Sequence, residues 1–352
     1  MRVTFVLPAP IRIPMGGAKV VYRYAGELAG RGHDVTVLAP RRPGTGLGAR
    51  AFAAATALRD ALHRVPDGPY YAASGVRTLA VPDPSARHAP DADVVVATGW
   101  QTAPWVAALP ARAGAGAYFV QNLEDYLSPE APATWALPLA KFTCARWLAE
   151  AVEAAGHPTL GHVPNAVDPD EFFPTAPPGE RPPTVSFLYH RLPVKGADDA
   201  LEALALVRRQ RPDLRVEVFT ARPPSHRLPD AFRVHVRPSL ADLRALYGRT
   251  AVFLHPSHRE GWPLPPMEAA ACGAALVAAA NEGVQECFDA ETARLVPVGR
   301  PGALAEAVVG LLEAPGERAA LAEAGRARVA SLSWAASTDR LEEVLGRVAG
   351  GG

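Results

Sequence analysis

The chain has 352 residues, 49% of them hydrophobic and 20% charged, with 36 basic against 36 acidic side chains and a sequence pI near 7.2. That length exceeds what one hydrophobic core usually serves and points to two domains, while a balanced charge gives no field to draw nucleic acid or an anionic membrane surface. Three cysteines, Cys144, Cys272 and Cys287, none in a C-x-x-C pair, argue against a disulfide framework or a thiolate zinc site and suit a reducing cytosol.

The opening "MRVTFVLPAP" has no apolar signal-peptide core and reads as a buried strand over Val3 to Leu7. No run of about 18 strongly apolar residues predicts a spanning helix. A soluble, cytoplasmic chain is expected, with peripheral contact at the inner face of a membrane left open. In "GGAKVVYRYAGELAGRGHDVTVLAP", Val20, Val21, Tyr24, Ala25 and Leu28 fall at helical spacing and Val35 to Leu38 forms the next strand, which makes a β-α-β unit. The runs "DVVVATGW" (93–100) and "AYFVQN" (117–122) continue the pattern as buried parallel strands. Residues 1–162 therefore form a first Rossmann-like domain, and the proline-crowded 163–184 reads as a linker.

A second alternating series fills 185–330. It comprises a strand Val185 to Tyr189, a helix from Ala197 to Arg209, strands Val216 to Thr220 and Val234 to Val236, and a helix opened by "SLAD". There Ser239 and Asp242 stand at capping-box spacing, with Asp in place of Glu. The strand "AVFLHPS", the helix "PPMEAAACG" and the strand "AALVAAA" follow. A helical pattern then puts Leu304, Val308, Leu311 and Leu312 on one face, and a last helix over 331–352 is open to crossing back onto the first domain. The fold class is α/β, with two facing Rossmann-like domains and a cleft between them.

In open parallel sheets, ligands sit beyond the carboxyl ends of the strands. Gly16 and Gly17 lie between the first strand and its helix, where their amides can approach a phosphate, although a Gly-Gly turn before a helix is also plain turn chemistry. The dinucleotide fingerprint G-x-G-x-x-G is absent, which argues against a nicotinamide enzyme. The matching turn of the second half, "YHRLPVKG" (189–196), carries Arg191 and Lys195. The chain has only three lysines, Lys19, Lys141 and Lys195, so a lysine in this loop looks chosen for an anion such as a diphosphate. In "SHREGWPLPPMEAAACG" (257–273), Glu260 and Glu268 flank a proline-rich turn that enters a helix. Two such carboxylates can work as acid and base or can hold sugar hydroxyls, and a nearby helix N-terminus favours the holding role. The bland alternative is that Glu268 merely complements the helix dipole.

The stretch "DLRALYGRTAVFLHPSHREGWPLPPMEAAACG" resembles the signature region of glycosyltransferase family 4, retaining enzymes of GT-B architecture. The family's Glu, seven residues, Glu motif is met by Glu260 and Glu268, with Gly261, Pro265, Ala269 and Gly273 in register; "GGA" at 16–18, "VPNAVDPDEFFP" at 163–174 and "KG" at 195 match as well. The resemblance implies that Glu268 holds the ribose of a nucleotide sugar, and that Glu260 with the amides of Gly261, Trp262, Pro263 and Leu264 holds the sugar to be moved. Lys195, with Arg191 and the Gly16 and Gly17 amides, neutralises the diphosphate. It implies no cofactor and no metal. Departures are the contracted loop before Lys195, "NEGVQE" (281–286) with only Gly283 where relatives have a richer glycine loop, and "VQNLEDY" where many carry a histidine. The last leaves Gln121, Asn122 and Glu124 as acceptor-side candidates. Asp91-Ala92-Asp93 imitates a metal-holding D-x-D but precedes its strand and reads as a solvated strand start.

The expected activity is a retaining, metal-independent glycosyltransferase moving a sugar from a nucleoside diphosphate sugar to a glycan, lipid-linked or small-molecule acceptor. The rivals are a nucleotide-sugar epimerase or phosphorylase of the same fold and a non-enzymatic nucleotide-sugar-binding relative. Nucleotide base, sugar, acceptor and oligomeric state are not written in the sequence.

Overall fold

The computed structural model describes residues 1–43, 54, 55, 58 and 70–351. It falls into two compact units: Met1–Asn165 together with Trp334–Gly352, and Ala166–Ser333.

The first unit is a seven-stranded, all-parallel sheet in the order β3-β2-β1-β4-β5-β6-β7. Its strands are β1 (Arg2–Val6), β2 (Asp34–Pro40), β3 (Val76–Val81), β4 (Val94–Ala97), β5 (Ala115–Val120), β6 (Ala140–Thr143) and β7 (Thr159–His162). Helix α1 (Gly16–Gly30) crosses from β1 to β2, with α2 (Ala103–Ala107) and α3 (Arg146–Ala154) following. Val20, Val21, Tyr24, Ala25 and Leu28 form the buried stripe of α1 that their spacing predicts. Strands β3, β6 and β7 are absent from the sequence reading. Strand β6 disguises itself with Lys141, which is buried because its ammonium donates to the carbonyls of Leu137 (3.0 Å) and Leu139 (2.8 Å).

The second unit is a six-stranded parallel sheet in the order β10-β9-β8-β11-β12-β13. These are β8 (Thr184–Leu188), β9 (Arg215–Thr220), β10 (Phe232–Val236), β11 (Val252–His255), β12 (Ala275–Ala279) and β13 (Arg294–Val296). Its helices are α4 (Ala197–Gln210), α5 (Leu240–Arg249), α6 (Leu264–Ala271), α7 (Glu282–Cys287), α8 (Pro301–Glu313) and α9 (Pro315–Ala330). The capping box opening α5 forms in full: the Ser239 hydroxyl accepts from the Asp242 amide, and Asp242 accepts from the Ser239 amide. In each sheet the strand order reverses once, between β1 and β4 and between β8 and β11, and such a switch point is where a ligand crevice opens.

The proline-rich segment differs from a free linker, because from Ala166 onward it packs as part of the second unit. Phe172 is buried against the Tyr247 ring, 5.9 Å between centroids, and the Arg244 guanidinium lies 4.6 Å from the centre of the Phe173 ring. Arg181 reaches inward to the carbonyls of Tyr247, Thr250, Ala176 and Cys272. The last helix, α10 (Trp334–Ala349), belongs to the first unit. Trp334 packs edge-on to Tyr24, and Arg31 and His33 at the end of α1 pair with Asp339 and Glu342. Asp93 is paired with Arg2 and Asp91 with Arg112, which accounts for that D-x-D as a strand start. Among the described residues no helix is long and apolar enough to cross a membrane.

Candidate functional site

The switch point of the second sheet gathers the loops after β8 and β11. Strand β8 runs into a single 3-10 turn, Pro193–Lys195, closed by Gly196 at φ +66, where a Cβ would lie 2.2 Å from the Pro256 carbonyl oxygen. Only glycine closes that turn, so Gly196 is a geometric requirement. The loop after β11 is bound to it: the His258 amide donates to the Val194 carbonyl (2.8 Å) and the Ser257 hydroxyl does so at 3.3 Å. Glu260 is thereby brought to Lys195, whose ammonium donates to Oε2 at 2.7 Å. Both side chains are largely buried.

Two imidazoles complete this cluster. His255, the last residue of β11, is buried, and its Nε2 stands 3.6 Å from Glu260 Oε1 without a hydrogen-bond partner. Burial pushes its pKa down to about 4, so it is neutral at physiological pH. His190 is pushed down by burial and then by the charge of Lys195, and its Nδ1 accepts from the Leu192 amide at 3.1 Å. For Glu260, burial pulls the carboxyl up, but Lys195 and its other neighbours win and hold it below the usual carboxylate range. The cluster is thus one buried ion pair between two uncharged imidazoles.

The segment "NEGVQE" is a helix start. Asn281 caps α7 by accepting from the Val284 amide (3.1 Å) and donates to the Ser257 carbonyl (2.8 Å). The Gly283 position comes so near Glu260 that a Cβ would lie 2.3 Å from the Glu260 carbonyl oxygen. The one glycine kept in this stretch therefore lets α7 buttress the Glu260 backbone.

Two sequence expectations, the dipole account of Glu268 and the row of amides from Gly261 to Leu264, meet a different geometry here. Glu268 is the fifth residue of α6 and lies outside its first turn, so the dipole account of it fails; it is buried and accepts from the Tyr247 phenol at 3.2 Å. Of the amides from Gly261 to Leu264, Pro263 has none and that of Leu264 is turned back to the Trp262 carbonyl, 3.1 Å. Trp262 brings a donor of a different kind, since its indole N–H is buried without a partner. Arg191 is exposed and donates to the Pro223 carbonyl, and among the described residues it makes no contact with Lys195 or Glu260. His255, Tyr247 and the Trp262 indole escape sequence reasoning; a histidine ending a buried strand beside the carboxylate loop was the available signal.

In the first unit, Gly16 and Gly17 begin α1, whose N-terminal residue Met15 offers no side-chain cap. Gln121 lies against Gly17, with its Oε1 3.2 Å from where a Cβ would stand, and its amide donates to the Thr98 carbonyl at 3.0 Å. Asn122 is engaged with Tyr126 and the Leu123 amide. Glu124 stands apart: its backbone is left-handed at φ +60, a strained state for a non-glycine residue, and its Oε2 accepts from the Trp100 amide at 3.0 Å. Burial lifts its carboxyl to about 7 despite that hydrogen bond. A raised carboxyl pKa means the folded state holds the proton more tightly than the unfolded chain, so Glu124 supports the fold best below the ordinary carboxylate range and loses that support as pH rises through about 7. Glu124→Gln is therefore expected to be near neutral at pH 5 and to exceed the parent in stability by roughly 2 kcal/mol at pH 8. Denaturant midpoints across that range check it, and a difference independent of pH would refute it.

Residues 183–314, within the second unit, match the family model described as glycosyl transferases group 1. Over 215 residues the chain is 26% identical to a GDP-mannose-dependent monoacylated α-(1-6)-phosphatidylinositol monomannoside mannosyltransferase of Corynebacterium glutamicum. That match covers 54% of this chain and 56% of that protein, so the chain spans about half the length of the curated relative it matches. Among solved structures it is similar to the sucrose-phosphate synthase of Thermosynechococcus elongatus, at TM-score 0.76 and 16% identity over 100% of both chains. It is also similar to HepE of Anabaena in complex with UDP and glucose, at TM-score 0.73 and 15% identity over 98% of this chain and 99% of that one. These likenesses establish the GT-B fold.

Proposed function

We propose that this chain is a glycosyltransferase that moves a sugar from a nucleoside diphosphate sugar to a hydroxyl acceptor, with retention and without a metal. The observation that carries the reading is the buried Lys195–Glu260 pair, formed by the loops after β8 and β11 at the switch point of the sheet that lies within the family match. Breaking the bond between sugar and phosphate leaves the electron pair, and hence negative charge, on the diphosphate. Lys195 is the cation that stabilises that charge in place of a metal ion, and Arg191 would have to leave the Pro223 carbonyl to join it. Glu268, oriented by Tyr247, accepts from the ribose hydroxyls, while Glu260 and the Trp262 indole hold the transferred sugar. In same-face attack, the acceptor oxygen bonds to the anomeric carbon as the phosphate oxygen departs and takes the acceptor proton. Gln121, Asn122 and Glu124 line the acceptor side in this reading, with the Gly16 and Gly17 amides available to the phosphates.

A thermal-shift panel of UDP, GDP, dTDP and ADP, with and without EDTA, tests the donor half. One of them is expected to raise the melting temperature of the parent regardless of EDTA, and to fail with Glu268→Ala. Tyr247→Phe removes one hydrogen bond to Glu268 and is expected to weaken that nucleotide about fivefold, the value of roughly 1 kcal/mol. No shift with any nucleotide would sink the reading, and an inverted anomeric centre in the product, read by NMR, would sink retention.

A further inference from the structure

The buried cluster of the second unit has one carboxylate, Glu260, one ammonium, Lys195, and two uncharged imidazoles. The ion pair is balanced only while Lys195 has a single anion to serve. A donor diphosphate bound at Lys195 brings a second and stronger claim on the same ammonium. Glu260 would then be left buried with less than one positive charge, which is costly in a water-poor setting.

The surroundings decide which group can make up the deficit. Strand β12, beside β11, places Ala278 next to His255 in register and brings no charge there. Asn281 is neutral and is spent on Ser257 and the α7 cap. On α6, Glu268 is engaged by Tyr247 and lies outside the influences on His255, which are burial, Glu260 and Lys195. His190 has its Nδ1 committed to the Leu192 amide. Among the described residues, the buried His255 Nε2 faces Glu260 Oε1 without a partner, and the 3.6 Å gap closes to a hydrogen bond with a shift of under about 1 Å. Its ring is held close to parallel with the Phe253 ring, 19° between planes, so its orientation is already set.

We propose that His255 is a positioning residue for Glu260, taking up a proton from solvent and donating it as a hydrogen bond to Glu260 Oε1 when a donor diphosphate draws on Lys195. Glu260 then stays fixed against the transferred sugar while Lys195 turns to the phosphates. The step forms one N–H bond on Nε2 with a proton released from a solvent oxygen, and no bond between heavy atoms changes. The inference rests on the reading that Lys195 meets a diphosphate.

Isothermal titration calorimetry of the intact protein with UDP and with GDP, in buffers of small and large ionisation enthalpy at pH 7.5, is the test. The wild type is expected to take up a substantial fraction of a proton per nucleotide bound, and its affinity to fall as pH rises from 7 to 9. His255→Gln, which keeps an uncharged amide donor toward Glu260, is expected to bind within a few-fold of wild type at pH 7.5, but with less uptake and a flatter pH dependence. His255→Phe, which keeps the ring stack without the donor, is expected to lose about tenfold in affinity. The nucleotide's own titration is common to all three proteins and cancels in the difference. Nucleotide binding with equal proton uptake in wild type and His255→Gln would overturn the role of His255 while leaving the donor reading intact. Absence of nucleotide binding in the wild type would overturn both.

Discussion

Replacing Lys195 with methionine is expected to lower turnover of the bound nucleotide sugar by about 10²- to 10³-fold, the usual cost of removing one preorganised charge from a developing anion. The same change also strands Glu260, because its ammonium partner sits 2.7 Å away in a buried cluster, and breaking such a pair costs roughly 3–5 kcal/mol of stability. A falling rate alone is therefore ambiguous. The double variant Lys195→Met with Glu260→Gln isolates the stability effect, since two neutral side chains of similar size leave no buried charge. It is expected to recover most of the lost stability and none of the turnover. Release of nucleoside diphosphate, followed beside denaturant midpoints, gives both quantities. Recovery of turnover in the double variant would show that Lys195 serves the fold and not the reaction.

Arg181→Met is expected to cost the second unit about 4 kcal/mol of stability. Arg181 is 5% exposed, and its two terminal nitrogens donate to four carbonyls. Tyr247 and Thr250 stand at the carboxyl end of α5 and Cys272 at that of α6, so one guanidinium serves terminal carbonyls of two helices, of which that of Tyr247 also accepts from the Thr250 amide, and lies at the negative ends of both. Burial, with repulsion from Arg318 added, lowers its pKa to about 10, which still leaves it charged at neutral pH. Each carbonyl stripped of its donor costs on the order of 1 kcal/mol or more. Arg181→Lys keeps the charge but lacks the fork of donors, and is expected to lose about half as much. Arg227→Met, at an ion pair whose side chains are more than three-quarters exposed, serves as the control and is expected to change stability by under about 0.5 kcal/mol. Near equality of Arg181→Met with that control would refute the account.

Periodicity made the α1 stripe and the central strands legible, because their burial follows directly from residue type. Composition singled out Lys195, since a lysine is rare in this chain and a strand-end loop is a telling place for it. What stayed hidden depends on distance between residues far apart in sequence. The pairing of Lys195 with Glu260 is produced by the Gly196 turn pressing on Pro256, and no local pattern reports that. Arg181 is one arginine among many in a proline-rich stretch, and only the folded chain shows it pointing inward to four carbonyls. The helix that "PPMEAAACG" predicts begins earlier, at Leu264, and so carries Glu268 past the first turn. Strand β6 was lost for the opposite reason, a charged residue that the interior accommodates.

Because the first unit is made of Met1–Asn165 and Trp334–Gly352, the order in which the chain is synthesised is not the order in which its parts can be finished. Residues 166–333 can emerge from the ribosome and close their own sheet while the face of α1 that Trp334 will cover still stands open to solvent. The unit that starts first is completed last, and its buried Tyr24 waits through the synthesis of the whole of the other unit for the ring that packs on it.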